Sequence, residues 1–387
     1  MPARILVASQ FFLYYATLGV YLPYFNLYCY HLGFSGPQIG LLSGIRSVAL
    51  VIFPLLWSGL ADRYDVRRSV YLGCLLVSSG IWSLLLGITD FKLMLLTVGA
   101  YAVFFAPLIA FLEAFAMEAL AQTKAAYGRL RAWGSLSFIL VVLGLGGLMD
   151  RQGLGLVVPL ILAGSALQTL GALGLPRMPA RRSRPAGSGL RHLAARRPAI
   201  FLAAGFLMLF SHGTYYGFFS IHLEALGLGT AFIGLCWAAA VLAEIAVMVN
   251  SQRLFRRFSL EAVIVASFGA AVVRWLVLAA TRDPLAILLS QSLHAVTYGC
   301  FHMASILYMD RLTPDSHKTV GQAVNNAMSY GLGLLVGFLV NGMLYERAGA
   351  AGLFGMSALA ALLGGGLFAL GRAETRRDQS PGRGASR

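Results

Sequence analysis

The sequence predicts an all-α membrane protein of twelve transmembrane helices in two six-helix halves, and three observations carry that reading. The 387 residues are 58% hydrophobic and 12% charged, whereas an ordinary soluble domain carries about 25% charged residues. Apolar runs long enough to cross a bilayer, about 20 residues each, recur along the chain between short breaks that hold charges, Pro or Gly. The longest break, PRMPARRSRPAGSGLRHLAARRP, falls between the sixth and seventh runs. These proportions exclude secreted, disordered and collagen-like classes.

In order, the runs lie at 5–31, 38–61, 69–89, 92–119, 127–149, 154–175, 199–222, 230–252, 260–281, 284–309, 321–344 and 350–371. The first follows Arg4, is longer than a signal-peptide core and lacks a small-residue exit, so it is expected to be a permanent span. Spans 4 and 10 are unusually long, which suggests tilt or extension beyond the hydrocarbon. The organisation expected is an N-terminal bundle at 1–176, a basic linker at 177–198, a C-terminal bundle at 199–372 and a tail at 373–387. Two parallel-related halves of six spans place a solute site at the midplane between them.

With the N-terminus in the cytoplasm, 23 of the 30 Lys and Arg fall in cytoplasmic segments, and Lys92, Arg151, Arg282 and Arg347 fall outside. The positive-inside rule therefore predicts cytoplasmic termini. The net charge of +15 is then a topology signal, and the bilayer rather than a nucleic acid is the partner expected. Cys29, Cys74, Cys236 and Cys300 lie far apart inside apolar runs, a pattern that indicates neither disulfides nor a metal site.

A charge at the bilayer centre costs on the order of 3 kcal/mol on insertion scales, so each needs a reason. Five lie well inside spans: Arg46, Glu113, Arg131, Glu244 and Arg274. Glu113 and Arg131 are each nine residues from Gln122 in the intervening turn. Equal distance from the turn gives equal depth, so the two are expected to meet across the hairpin, either as a static clamp or as a polar anchor for substrate. Glu244 and Arg274 straddle the next basic turn and form a second candidate pair. Arg46 has no sequence-near partner; pairing with Glu244 and snorkelling outward are both open.

Span 10 carries Gln291, His294, Tyr298 and His302 at spacings of three, four and four, which puts them on one helix face. Two histidines on a polar stripe suggest a cavity wall, and histidine changes charge near physiological pH, as a proton relay requires. Span 7 holds His212, Tyr215 and Tyr216, and span 11 holds Gln322, Asn325, Asn326 and Tyr330. Amides at such positions either glue helices together or bind solute. Gly333 and Gly337 have the small-xxx-small spacing of close helix packing.

Across essentially its whole length the chain resembles the major facilitator superfamily. SGLADRYDVRR, with Asp62, Arg63, Arg67 and Arg68, is similar to that superfamily's cytoplasmic gating loop, with Ser58 and Asp65 where glycines are typical. NSQRLFRRFS in the second half is a worn copy without the acidic residue. Within the superfamily the likeness is to lactose-permease-like symporters and, closer, the phenylpropionate permease family. It is carried by FFLYYATLGVYLPYF, by LEAF with Glu113 eighteen residues before Arg131, by SHGTYYGFFS and by RWL. Arg274 and His294 match charged positions of that group, whereas Gln291, Thr297 and Val241 stand where a lysine, a proton-carrying glutamate and an acidic residue are usual.

The resemblance implies a secondary transporter of the bacterial inner membrane that imports a small organic solute with a proton by alternating access, as a monomer and without a cofactor. An aromatic carboxylate such as 3-phenylpropionate is the first expectation for the solute; a sugar or a nucleoside is the alternative. Substrate binding is assigned to Glu113, Arg131, Tyr216, Asn325 and Asn326. Proton coupling is assigned to Glu244, Arg274, His294 and His302, with Arg131 or Arg274 meeting a carboxylate. A non-transporting sensor and a membrane-embedded enzyme are the rivals from other classes. The short external connections hold only scattered charges, Asp90, Asp150, Glu224, Asp283 and Glu346, and no catalytic constellation.

Overall fold

The computed structural model describes residues 3–120, 127–176 and 193–378, with side chains through 372. Most of the 177–198 linker, the end of the tail and the turn around Gln122 lie outside the described residues. Among the described residues, nine stretches are each a single candidate span by length and composition: α1 Ala3–His31, α2 Gly36–Tyr64, α3 Arg67–Leu86, α4 Phe91–Ala119, α5 Tyr127–Gln152, α6 Leu154–Ala172, α7 Arg196–Ala225, α8 Thr230–Arg257 and α9 Leu260–Ala280. A tenth candidate, Asp315–Arg372, contains two spans. It reverses at Gly349, whose φ of 61° is open to a residue without Cβ, and so yields α11 (318–348) and α12 (350–372). The remaining span, α10 (284–312), escapes a length test because it is broken locally: Pro284–Ser290 is α-helical, Gln291–Leu293 is 3-10, Ala295–Cys300 is a π turn and Phe301–Leu312 is α-helical again. A second π turn, Ala327–Gly333, interrupts α11. The two six-helix halves follow.

Helix starts are set by short polar caps. Asp90, Ser259 and Asp283 accept the backbone N–H groups of Leu93, Ala262 and Ala286, so the first turns of α4, α9 and α10 do not leave these donors bare. At the end of α2, Asp65 adopts the left-handed conformation, φ 54° and ψ 42°, which explains why this loop position commonly carries a glycine.

Buried polar groups tie the first half together. Tyr71 donates to Gln10 Oε1 at 2.8 Å, Gln168 Nε2 donates to Tyr71 at 3.2 Å, and Gln10 Nε2 donates to the Gln168 carbonyl at 3.2 Å. All three residues are buried. Removing the shared hydroxyl strands two amides, at about 1–3 kcal/mol per unsatisfied group. Tyr71→Phe should therefore lower the thermal unfolding midpoint of the detergent-solubilised protein while leaving solute affinity alone. An unchanged midpoint would mean the network carries no stability.

The halves meet at the end of the bundle remote from both termini. There Tyr24 donates to the carbonyls of Val142 and Thr230, Asn26 donates to that of Gly217, and His31 contacts Glu224 at 2.8 Å. Asp150 at the end of α5 accepts the backbone N–H groups of Thr230 (2.6 Å) and Ala231 (3.2 Å) at the start of α8. Glu346 at the end of α11 accepts that of Gly36 at the start of α2, at 2.9 Å. The backbones cross in contact: a Cβ on Gly234 would overlap the Val142 carbonyl oxygen, and one on Gly40 would lie 2.5 Å from that of Phe338. Gly333 and Gly337 pack against the α7 backbone at Phe206 and Phe210, as their spacing suggests.

Candidate functional site

Below that closed end the two halves part around a cavity of about 660 Å³. Its walls come from α1, α2, α5, α7, α8, α10 and α11, and none of its lining lies on α3, α6, α9 or α12. The deep end is formed by Asn26, Ser43 and Phe338, and the opposite end by Tyr15, Arg131, Pro54, Leu55 and Ala323.

The second-half wall is built on α10. The rings of His294, Tyr298 and His302 form a continuous stack, 5.2 and 6.1 Å between centroids and nearly parallel. The π turn lies between the two histidines, a feature that often marks functional positions. Behind this stack, Arg274 is fully buried and committed: it donates to His294 Nδ1 at 2.6 Å and to Gln291 Oε1 at 2.7 Å, and packs on Tyr215 and Trp275. A guanidinium only donates, so Nδ1 must accept and the histidine proton must reside on Nε2. That Nε2 lies 2.7 Å from Glu244 Oε1. The result is a directed chain, Arg274 to His294 to Glu244, that ends on the one carboxylate lining the cavity among the described residues. His302 Nδ1 lies 2.6 Å from the Tyr330 hydroxyl and joins α10 to α11.

On the first-half wall, the guanidinium of Arg131 lies over the Tyr15 ring at 3.9 Å and hydrogen-bonds that tyrosine's hydroxyl. Arg46 lies over the Tyr21 ring at 4.5 Å. Both arginines line the cavity. Among the described residues, neither has a carboxylate oxygen within 4.0 Å.

Several expected placements change. Glu113 does not meet Arg131; it is exposed and lies outside the cavity lining. Equal distance from a turn fixes depth but not azimuth, and α4 is interrupted at Ala106–Pro107, where the α-helix stops before resuming at Leu108. Asn325 is also outside the lining: it is buried and donates to Ser305 Oγ at 3.0 Å, so it joins α11 to α10. Its neighbour Asn326 lines the cavity, as do Tyr216, Glu244, His294 and His302. Arg274 cannot reach a solute in this conformation, because His294 stands between it and the cavity. Glu244 and Arg274 are joined through that histidine rather than directly.

In the gating loop, Arg67 bridges Asp62 and Glu118, both at 2.5 Å, and so ties α2, α3 and α4 together. Arg68 donates to the carbonyls of Leu173 and Leu175 beyond α6. Arg63 takes no part in that bridge and lies against Tyr64 instead. Sequence reasoning missed Glu118, Tyr15 and Trp237. Trp237 lies two helical turns before Glu244, a spacing that puts both on one face, and that signal was readable.

A membrane-embedded, two-half helical bundle with a central cavity is the architecture of a major facilitator transporter. The model of the MFS_1 like family matches residues 5–356, and the chain belongs to that family. It is 29% identical over 365 residues to the probable 3-phenylpropionic acid transporter of Escherichia coli (strain K12), covering 92% of this chain and 94% of that protein. It is 22% identical over 357 residues to the xanthosine permease of the same organism, covering 86% and 85%. Among solved structures, the nucleoside transporter NupG superposes with a TM-score of 0.85 at 19% identity, covering 96% of this chain and 99% of that one. The chain is accordingly a multi-pass membrane transporter for small molecules.

Proposed function

We propose that this transporter imports an aromatic carboxylate together with a proton across the bacterial inner membrane. It acts as a monomer, without a cofactor or nucleic-acid partner, and with both termini and the 177–198 linker in the cytoplasm. The observation that carries the reading is the pairing, in one cavity, of an arginine free of carboxylates with a glutamate held by a histidine. Arg131 offers its fork to the solute carboxylate. Tyr216, Tyr298 and Trp237 supply aromatic faces, and Glu244 supplies the proton-carrying group, with His294 fixing its orientation.

With basic loops inside, the closed end faces the periplasm and the cavity opens inward. In that conformation Glu244 releases its proton as the solute leaves. The bound carboxylate and the proton both favour cavity closure, because burying a charge without a partner is costly. Each therefore assists the other by linkage. The likeness to the 3-phenylpropionic acid transporter supports the carboxylate. The xanthosine permease and NupG favour a nucleoside as the second reading, and the amide of Asn326 could meet a base.

The test is uptake into proteoliposomes of 3-phenylpropionate, xanthosine and maltose, each with and without an imposed proton gradient. Gradient-driven uptake of the acid alone is the result expected, and Arg131→Gln should reduce it by at least tenfold, the scale of one charge-assisted hydrogen bond. Uptake of xanthosine in preference to the acid would replace this reading with the nucleoside one.

A further inference from the structure

The two arginines of the first-half wall stand at different depths, and the reading above employs only one of them. Tyr15 and Tyr21, on which they stack, are six residues apart on α1, which is roughly 9 Å of helix rise. The wall between them is mostly apolar, formed by Leu18, Leu50 and Phe138, with Ser135 one turn from Arg131. Beside Arg46 the deep end turns polar again. Ser43 Oγ accepts from Asn26 at 3.0 Å, so its own proton is left to donate, and Ser47 lies next to it on the lining. A guanidinium held within the membrane is costly unless something answers its charge, and stacking on a ring answers only part of it. Among the described residues no carboxylate lies within 4.0 Å of either arginine.

We infer that the cavity takes a dicarboxylate with an aromatic or hydrocarbon core, one carboxylate on Arg131 and the other on Arg46 with Ser43. This rests on the carboxylate reading of the same cavity and extends it to a second anionic group. The spacing of the two stations selects the length of the solute, and the apolar wall between them selects its core. Glu244 and the buried Arg274 offset one another through His294, which leaves the two cavity arginines as the net charge of the site; a dianion balances it and a monoanion does not.

The experiment is calorimetric binding to the purified full chain in detergent with two probes, 3-phenylpropionate and 3-(4-carboxyphenyl)propionate. The dicarboxylate should bind the parent protein about tenfold more tightly, and that ratio should fall to about one in Arg46→Gln. Arg46→Lys keeps the charge in case the glutamine variant fails to fold, and should retain a preference for the dicarboxylate. Equal or weaker binding of the dicarboxylate to the parent, or a preference that survives Arg46→Gln, would overturn the second station while leaving the monocarboxylate reading intact. Binding of neither acid would overturn both, a result distinguishable from the first.

Discussion

Glu244→Gln is expected to abolish accumulation of solute against its gradient while leaving exchange across the membrane intact. Glutamine can still accept from His294 Nε2, which lies 2.7 Å from the native carboxylate, so the wall should keep its shape. It cannot carry a proton from one face to the other. Because Arg274 occupies His294 Nδ1, the imidazole cannot accept a second proton there without breaking the bond to the guanidinium, and so it cannot replace the glutamate. Proton-driven uptake should fall by roughly 100-fold, the upper range of coupling between two sites. Counterflow of labelled solute at equal pH on both sides should persist within a few-fold. Accumulation that still follows the proton gradient in this variant would remove Glu244 from the route and direct attention to His302.

The second large effect concerns the closed end. Gly234→Leu places a branched side chain where even a Cβ would overlap the Val142 carbonyl, and backbone cannot yield as the tip of a side chain can. The α5 and α8 crossing must then open, and transport should fall to background because one of the two alternating states is lost. The readout is a cysteine pair, His31→Cys with Glu224→Cys, at side chains that are 2.8 Å apart in the native protein. The pair should cross-link in the parent and fail to do so in the Gly234→Leu background. Undiminished cross-linking together with normal transport would show that the crossing tolerates the side chain and that closure does not depend on it.

Much of this molecule is legible from hydropathy and loop charge because the bilayer imposes one length and one polarity on every span. The twelve runs and the five intramembrane charges required nothing more. What the sequence could not supply was azimuth. Glu113 and Arg131 share a depth, yet the interruption at Ala106–Pro107 and the rotation of two packed helices decide which face each presents. Asn325 and Asn326 are adjacent and chemically identical, and one faces a serine of α10 while the other faces the cavity. Partners on other helices of the same half were equally hidden: Arg46 finds Tyr21, and Glu244 finds His294. Such choices depend on tertiary packing that no local period encodes. The α10 stripe was read correctly as a cavity wall for His294, Tyr298 and His302, but as a plain α-helix, whereas a π turn lies beneath it.

The carboxylates of Asp150 and Glu346 grip backbone N–H groups of the opposite half, and Asp150 takes the Thr230 hydroxyl as well. A lock made of two side chains needs both to be inherited together, and drift at either one breaks it. Here the receiving half of each lock is the peptide chain itself, which mutation does not alter unless proline is introduced. Descendants of this protein can therefore change side chains near the receiving helix starts and keep the backbone grip, so long as Gly36, where a Cβ would lie 2.6 Å from that of Tyr345, stays a glycine and one acidic residue persists at the end of each opposing helix.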